Sequence, residues 1–200
     1  DLSAPLVDPK EVRTAYIDHF FSTLIALDRE ETLHRAPTNT IMQQLYRIQD
    51  DLFQAWFWAI EDKMIGLLIK GLDGLNDFVD IHHDLNRGHN FYKKSAILLS
   101  ELFDADIQTH VANSPDENHL ISSILNSLGM ANLLKGEEEK AASMIKRAYS
   151  LAESAKAVRI QFYAATSLAA LYNFQNQMEQ SKHALDLSHK LAQQDRKSVV

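Results

Sequence analysis

The chain has 200 residues, 46% of them hydrophobic, no cysteine and a formal net charge of −7. Such an apolar content suffices for a buried core and argues against disorder of the whole chain, and the missing cysteines exclude a disulfide framework, a thiolate metal site and a cysteine nucleophile, which fits a reducing compartment. The acidic balance is expected to repel nucleic acid phosphates, no apolar run approaches the roughly 20 residues that span a bilayer, and nothing near Asp1 reads as a signal peptide.

Four prolines and six glycines, separated by long stretches, favour helices throughout. Asp8-Pro9-Lys10-Glu11 predicts the first helix start, with Asp8 capping, Pro9 at the first helical position and Glu11 bonding back. From Val12 to Leu27 the helical stripe reads Ala15, Tyr16, His19/Phe20, Thr23/Leu24 and Leu27. Thr40 with Gln43 offers a second capping box. A long helix is expected from Ile41 to about Ile69, with a seam of Ile41, Leu45, Ile48, Leu52, Ala55/Trp56, Ala59/Ile60 and Met64. Gly71 and Gly74 are read as its breakers. A shorter helix then carries Leu75, Phe78, Val79, His82 and Leu85, with Gly88 as its end. Phe91 to Ile107 follows as a helix whose buried side is Ile97, Leu98, Leu102 and Phe103. Ser114-Pro115-Asp116-Glu117 gives the clearest start signal: Ser114 caps, Pro115 opens and Glu117 closes the box. No segment reads as a strand.

Beyond Ser114 the chain repeats itself at a period of about forty residues. Ile124 and Leu125 align with Ala164 and Ala165, Leu128 with Leu168, and Gly129 with Ala169. In the second helix of each unit Met144, Ile145, Ala148, Leu151 and Ala152 align with Ala184, Leu185, Ser188, Leu191 and Ala192. Gly136 and Asn176, residue types that tolerate a left-handed backbone, occupy the matching turns. The expected architecture is all-α: about eight helices as antiparallel hairpins stacked in a superhelical array. Residues 1–113 form a helical region, either degenerate repeats or a bundle, and residues 114–195 form two repeats and the C-terminal end.

Leu128-Gly129, Ala148 and Tyr149 resemble a tetratricopeptide repeat, which places small residues where paired helices approach closely. The period exceeds that family's usual thirty-four or so residues, so these are lengthened repeats, and Ser188 stands where an alanine is usual. Ser127-Leu128-Gly129-Met130, Tyr149-Ser150-Leu151-Ala152-Glu153-Ser154 and Asp195-Arg196-Lys197 further resemble the closing repeats of the cohesin-loading Mau2/Scc4 family. That likeness covers about the last 75 residues and rests mostly on small and apolar positions. It implies a non-catalytic nuclear subunit, acting in sister chromatid cohesion and chromosome segregation, that props a large helical-repeat partner.

Candidate chemistry is sparse. His82 and His83, between Asp80 and Asp84 and near His89, lack the spacing at which two helical histidines hold one ion, and are expected as a solvated helix end. His183 and Asp186 share a helix face from which His189 diverges. Glu137-Glu138-Glu139 puts negative charge where a helix N-terminus favours it. Gly66-Leu67-Leu68-Ile69-Lys70-Gly71 lacks the ending and preceding strand of a phosphate loop, and no hydrolase or metalloprotease motif occurs. Phe53, Trp56, Phe57 and Trp58 form the most aromatic patch, to be read as core packing or as a partner surface.

These readings lead to a non-enzymatic scaffold that binds protein, takes no cofactor and contacts neither nucleic acid nor membrane. The alternative is the ligand- or peptide-sensing module of a bacterial transcriptional regulator, acidic and rich in glutamine. The missing initial Met and the abrupt ending at Lys197-Ser198-Val199-Val200 are what an excerpt from a longer chain would show. An intracellular location follows in either case, nuclear for the cohesin-loader reading and cytoplasmic otherwise. Leu128, Gly129, Ala148, Leu168, Ala169 and Ser188 are the positions expected to define the repeat packing. Ala148→Leu should therefore cost about 1–3 kcal/mol by overpacking, measured by denaturant unfolding.

Overall fold

A computed structural model describes residues 8–32, 37–82, 85–110 and 114–198. Among the described residues the elements are α1 (Pro9–Thr32), α2 (Thr38–Glu61), α3 (Ile65–His82), α4 (Leu85–Phe103), α5 (Pro115–Leu134), α6 (Glu138–Ser154), α7 (Val158–Phe174) and α8 (Met178–Ser198), with no strand. They sort into two units, Asp1–His82 with α1–α3 and His83–Val200 with α4–α8, so α4 belongs with the repeated hairpins.

In the first unit α1, α2 and α3 each pack against the other two. Asp8 caps α1 by accepting from the Lys10 amide at 2.9 Å. The buried stripe of α1 is Ile17, Phe21, Leu24 and Leu27, rotated from the one that the spacing predicts: Ala15 and His19 are exposed, and Tyr16 and Phe20 lie at the edge. The rotation is set by α3. Gly71 and Gly74 lie inside that helix and do not break it; a Cβ on Gly71 would stand 2.9 Å from the Phe21 ring, and one on Gly74 2.9 Å from Asp28 Cβ. Glycine here is the residue that lets two helices touch, and α1 turns the face that fits.

The helix break falls instead at Asp62-Lys63-Met64, where Lys63 is left-handed at φ 59°. The Met64 amide donates to Ala59 O at 2.9 Å and the Lys63 amide to Ile60 O at 3.0 Å, a Schellman closure. The seam of α2 runs as expected through Ile41, Leu45, Leu52, Ala55/Trp56 and Ala59/Ile60, and stops there. Thr40 does not cap α2; Pro37 stands at its N-cap with no side-chain bond. Leu85 opens α4 as an exposed residue instead of closing α3.

In the second unit the same closure recurs with regular spacing. Gly136 (φ 80°), Lys156 (φ 54°) and Asn176 (φ 57°) each follow a helix and precede the next by one residue. Glu137, Ala157 and Gln177 amides donate back to Asn132, Ala152 and Tyr172 carbonyls at 2.9, 3.0 and 2.8 Å. Turns this short make neighbours antiparallel, and α5·α6, α6·α7 and α7·α8 pack as such while α5 also touches α7.

Every residue of α5 from Leu120 to Gly129 is buried, serines and Asn126 included, because α4, α6 and α7 surround it. Ser114 caps it, accepting from the Glu117 amide at 3.2 Å as its sequence predicts. Gly129 sits where α6 comes closest: a Cβ there would meet Ile145 Cγ1 at 2.7 Å and Met144 Cβ at 3.2 Å. Leu128, Ala148 and Ala169 are buried and Leu168 partly so. Ser188 is buried too, and its hydroxyl bonds Thr166 Oγ1 at 2.8 Å, which explains a polar residue at an alanine position.

α4 departs from its expected form. Gly88 lies buried inside it, it ends at Phe103, and its buried residues are Gly88, Phe91, Tyr92, Ser95 and Leu99. Ile97 is 50% exposed, and Leu98, Leu102 and Phe103 are half-buried.

The glycine geometry separates two substitutions. Gly129→Ala should destabilise by about 1–3 kcal/mol, since Ile145 and the α6 backbone must give way. Gly66→Ala, whose added Cβ meets nothing within 4 Å, should stabilise by about 0.5 kcal/mol through reduced chain entropy. Denaturant unfolding followed by circular dichroism checks both.

Candidate binding groove

The aromatic run of α2 is largely internal to the first unit. Trp56 is fully buried and stacks on Phe21, with ring centroids 6.0 Å apart at 12°. Phe57 is buried and the half-buried Phe53 meets Phe78 at 6.4 Å. Trp58 reaches the edge, where Tyr16 meets it at 5.1 Å and the Arg13 guanidinium lies 5.0 Å from the ring centre. Arg13 also bonds the Trp58 carbonyl at 3.2 Å, Glu61 at 2.7 Å and Asp62 at 2.9 Å. Its polar neighbours thus cover the partly exposed face of Trp58.

Among the described residues the histidines do not converge. His82 ends α3, and His83 and Asp84 lie outside the described residues. His89 pairs through Nε2 with Asn132 Oδ1 at 3.1 Å, while Asn132 donates to Met144 Sδ at 3.3 Å, so it joins α4 to the α5–α6 hairpin. His183, Asp186 and His189 are exposed along α8. Glu137 bonds Lys140 Nζ at 2.6 Å; that bond and the lysine's charge hold its carboxyl below its usual range. Among the described residues no group of three His, Asp or Glu side chains could hold a metal ion, and no helix is long and apolar enough to cross a membrane.

Concave space occurs in the second unit. A groove of about 620 Å³ lies between α4, the segment after it, α5 and α6. α4 contributes Lys93, Ala96, Ile97, Ser100 and Glu101, an i, i+3, i+4, i+7, i+8 stripe that puts all five on one face. Leu125 and Leu128 of α5 and Met144 of α6 make the opposite wall. The end is closed by Asp104 to Gln108, beginning at left-handed Asp104 with φ 49°. Ser100 pins this segment, donating to Ala96 O at 2.9 Å and accepting from the Ile107 amide at 3.3 Å, and Ile107 is buried. Asp106 Oδ1 accepts from the Gln108 amide at 2.9 Å, which spends that carboxylate on the turn itself. Further on, His110 stacks on Phe103 at 4.8 Å and its carbonyl accepts from Arg147 of α6 at 2.7 Å. The segment that closes the groove is therefore tied to α4 through Ser100 and, at His110, to α6.

A second groove of about 370 Å³ lies on α7–α8, lined by Leu168, Tyr172, Glu179, Gln180, His183, Ala184 and Leu187. Leu168 and Ala184 are the repeat equivalents of Leu128 and Met144, the one pair of repeat positions that both grooves share. The sequence signals that could have located the first groove were the length of the Asp104–Ser114 connection and the mixed stripe around Ile97.

One titration follows from the first unit. Burial, then the 2.6 Å hydrogen bond to Asp51 and its charge, raises the Tyr16 phenol from 10.0 to about 12. Folding favours the protonated phenol, so this contribution is complete below about pH 10 and is lost as pH rises towards about 12. Tyr16→Phe should flatten that alkaline loss, and Asp51→Asn should bring the phenol back towards 10, read by spectrophotometric titration.

No family model matches this chain, and neither a curated protein nor a solved structure matches it.

Proposed function

We propose that the chain is a non-enzymatic helical-repeat scaffold that holds a segment of another protein. The observation that carries this is that two grooves open on consecutive hairpins and share one pair of repeat positions, Leu128/Met144 in the first and Leu168/Ala184 in the second. An enzyme needs one convergent set of reacting groups, whereas a repeat protein reads an extended partner by presenting similar hollows in succession. The finer reading is a tetratricopeptide-like superhelical stack, supported by the evenly spaced turns at 136, 156 and 176 and by α5 packing on both α6 and α7. The most specific form is a nuclear cohesin-loader subunit beside a large helical-repeat partner, and it rests on the resemblance of the closing repeats.

A second reading is favoured by the size of the first groove. About 620 Å³ falls within the roughly 300–1,000 Å³ of small-ligand pockets, as the sensor module of a bacterial transcriptional regulator requires. Such a regulator carries a helix-turn-helix DNA-binding domain beside the sensor and works in the cytoplasm.

Affinity purification of the full-length protein from its native cells, followed by mass spectrometry, tests these readings. A large helical-repeat protein recovered in equal amount supports the scaffold, and cohesin subunits with it support the specific form. Recovery of the protein alone, with a melting temperature raised by cell metabolites, would replace the scaffold with the sensor.

A further inference from the structure

We infer that the groove between α4 and the α5–α6 hairpin is the docking site for a basic amphipathic helix of the partner protein, an inference that rests on the scaffold reading. The groove is elongated. Its α4 wall runs from Lys93 to Glu101, about 12 Å at helical rise, the length of about two turns of a second helix. Its walls are apolar where they are deepest: Leu125 and Leu128 are buried, and Ile97 stands opposite them, 50% exposed. An exposed isoleucine by itself is ordinary, but this one stands in a concave space against buried leucines.

Charge selects among occupants. Glu101, Asp104 and Asp106 are exposed at one end of the groove, against Lys93 alone at the other. Such a rim repels phosphate backbones, and a second copy of this chain would bring its own net charge of −7. A helix with apolar anchors at i, i+3, i+4 and i+7 fills the floor, and Lys or Arg at its end answers Glu101 and Asp104.

The probe is a fluorescent leucine–lysine amphipathic peptide of about 14 residues, with its leucine–glutamate counterpart, titrated against the full chain by fluorescence anisotropy. The expected result is binding of the lysine peptide alone, weakened by raising salt from about 50 to about 300 mM. Ile97→Gln should weaken it about tenfold, and Glu101→Gln with Asp104→Asn about threefold to tenfold. Asparagine tolerates the left-handed backbone at 104, and unchanged melting of each variant shows that the fold persists. Glu138→Gln with Glu139→Gln, an exposed acidic pair that does not line the groove, should leave affinity unchanged. Equal loss in that control, or no binding of the lysine peptide, overturns the proposal. A natural partner recovered undiminished on Ile97→Gln would sink the groove and leave the scaffold reading standing. Recovery of no partner at all would sink the scaffold reading itself.

Discussion

The second unit depends on one constraint, the left-handed residue that closes a helix and releases the next after a single further residue. At 136, 156 and 176 this turn reverses the chain within three residues, so consecutive helices must lie antiparallel and in contact. Where the connection is that short, the facing positions have little freedom. Gly129 is one outcome, since its hydrogen occupies the space in which a Cβ would stand 2.7 Å from Ile145. The larger hollow arises where the rule is relaxed. Between α4 and α5 the chain takes the longer path from Asp104, and α4 stands off far enough from the hairpin to leave about 620 Å³. A regular repeat makes the rigid wall, and its one irregular connection makes the larger groove.

The cost of close packing shows in α5. A helix enclosed by three others must bury its whole surface, yet a wholly apolar sequence would associate without selecting a register. α5 instead buries Ser122, Ser123, Asn126, Ser127 and Asn132 among its leucines and isoleucines. Small hydroxyls fit where large side chains do not, and the Ser122 hydroxyl donates to the His119 carbonyl at 2.8 Å. Asn132 goes further, joining Met144 on one side and His89 on the other, so a single polar residue ties together three helices.

The repeated half was legible because each of its signals is local. A capping serine, a glycine or asparagine at a turn and an apolar residue every three or four positions all act within a few residues. Lys156 was missed because nothing about lysine announces a left-handed backbone; the packing of α6 on α7 holds it there at a cost of roughly 1–2 kcal/mol. The first half misled for a related reason. Glycine at 71, 74 and 88 carries two meanings, a helix breaker or a point of contact, and only the neighbouring helix decides. Phe21 and Asp28 decide it for the first two. Ile97 falls on the expected buried side yet is exposed, because apolar spacing gives the phase of a stripe but not whether another helix covers it.

The chemistry of α8 bears on where a partner can bind. In α6, Ala142 and Ile145 pack towards Leu171 of α7, and Ile145 has no exposed surface. The repeat equivalents in α8 are Lys182 and Leu185, the latter 53% exposed, and one turn on Tyr149 becomes His189. The stripe that packs on the next helix in α6 has thus become charged and polar in α8, with Leu185 exposed. A helix docking there in the manner of α7 would have to strip water from Lys182 while covering little apolar surface, and the two effects oppose each other. The groove beside α4 offers the reverse balance, with apolar walls already recessed and acidic groups held at the rim where they stay hydrated. On the scaffold proposal, this balance favours the hollow sides of the hairpins over the outer face of α8 as the place for a partner.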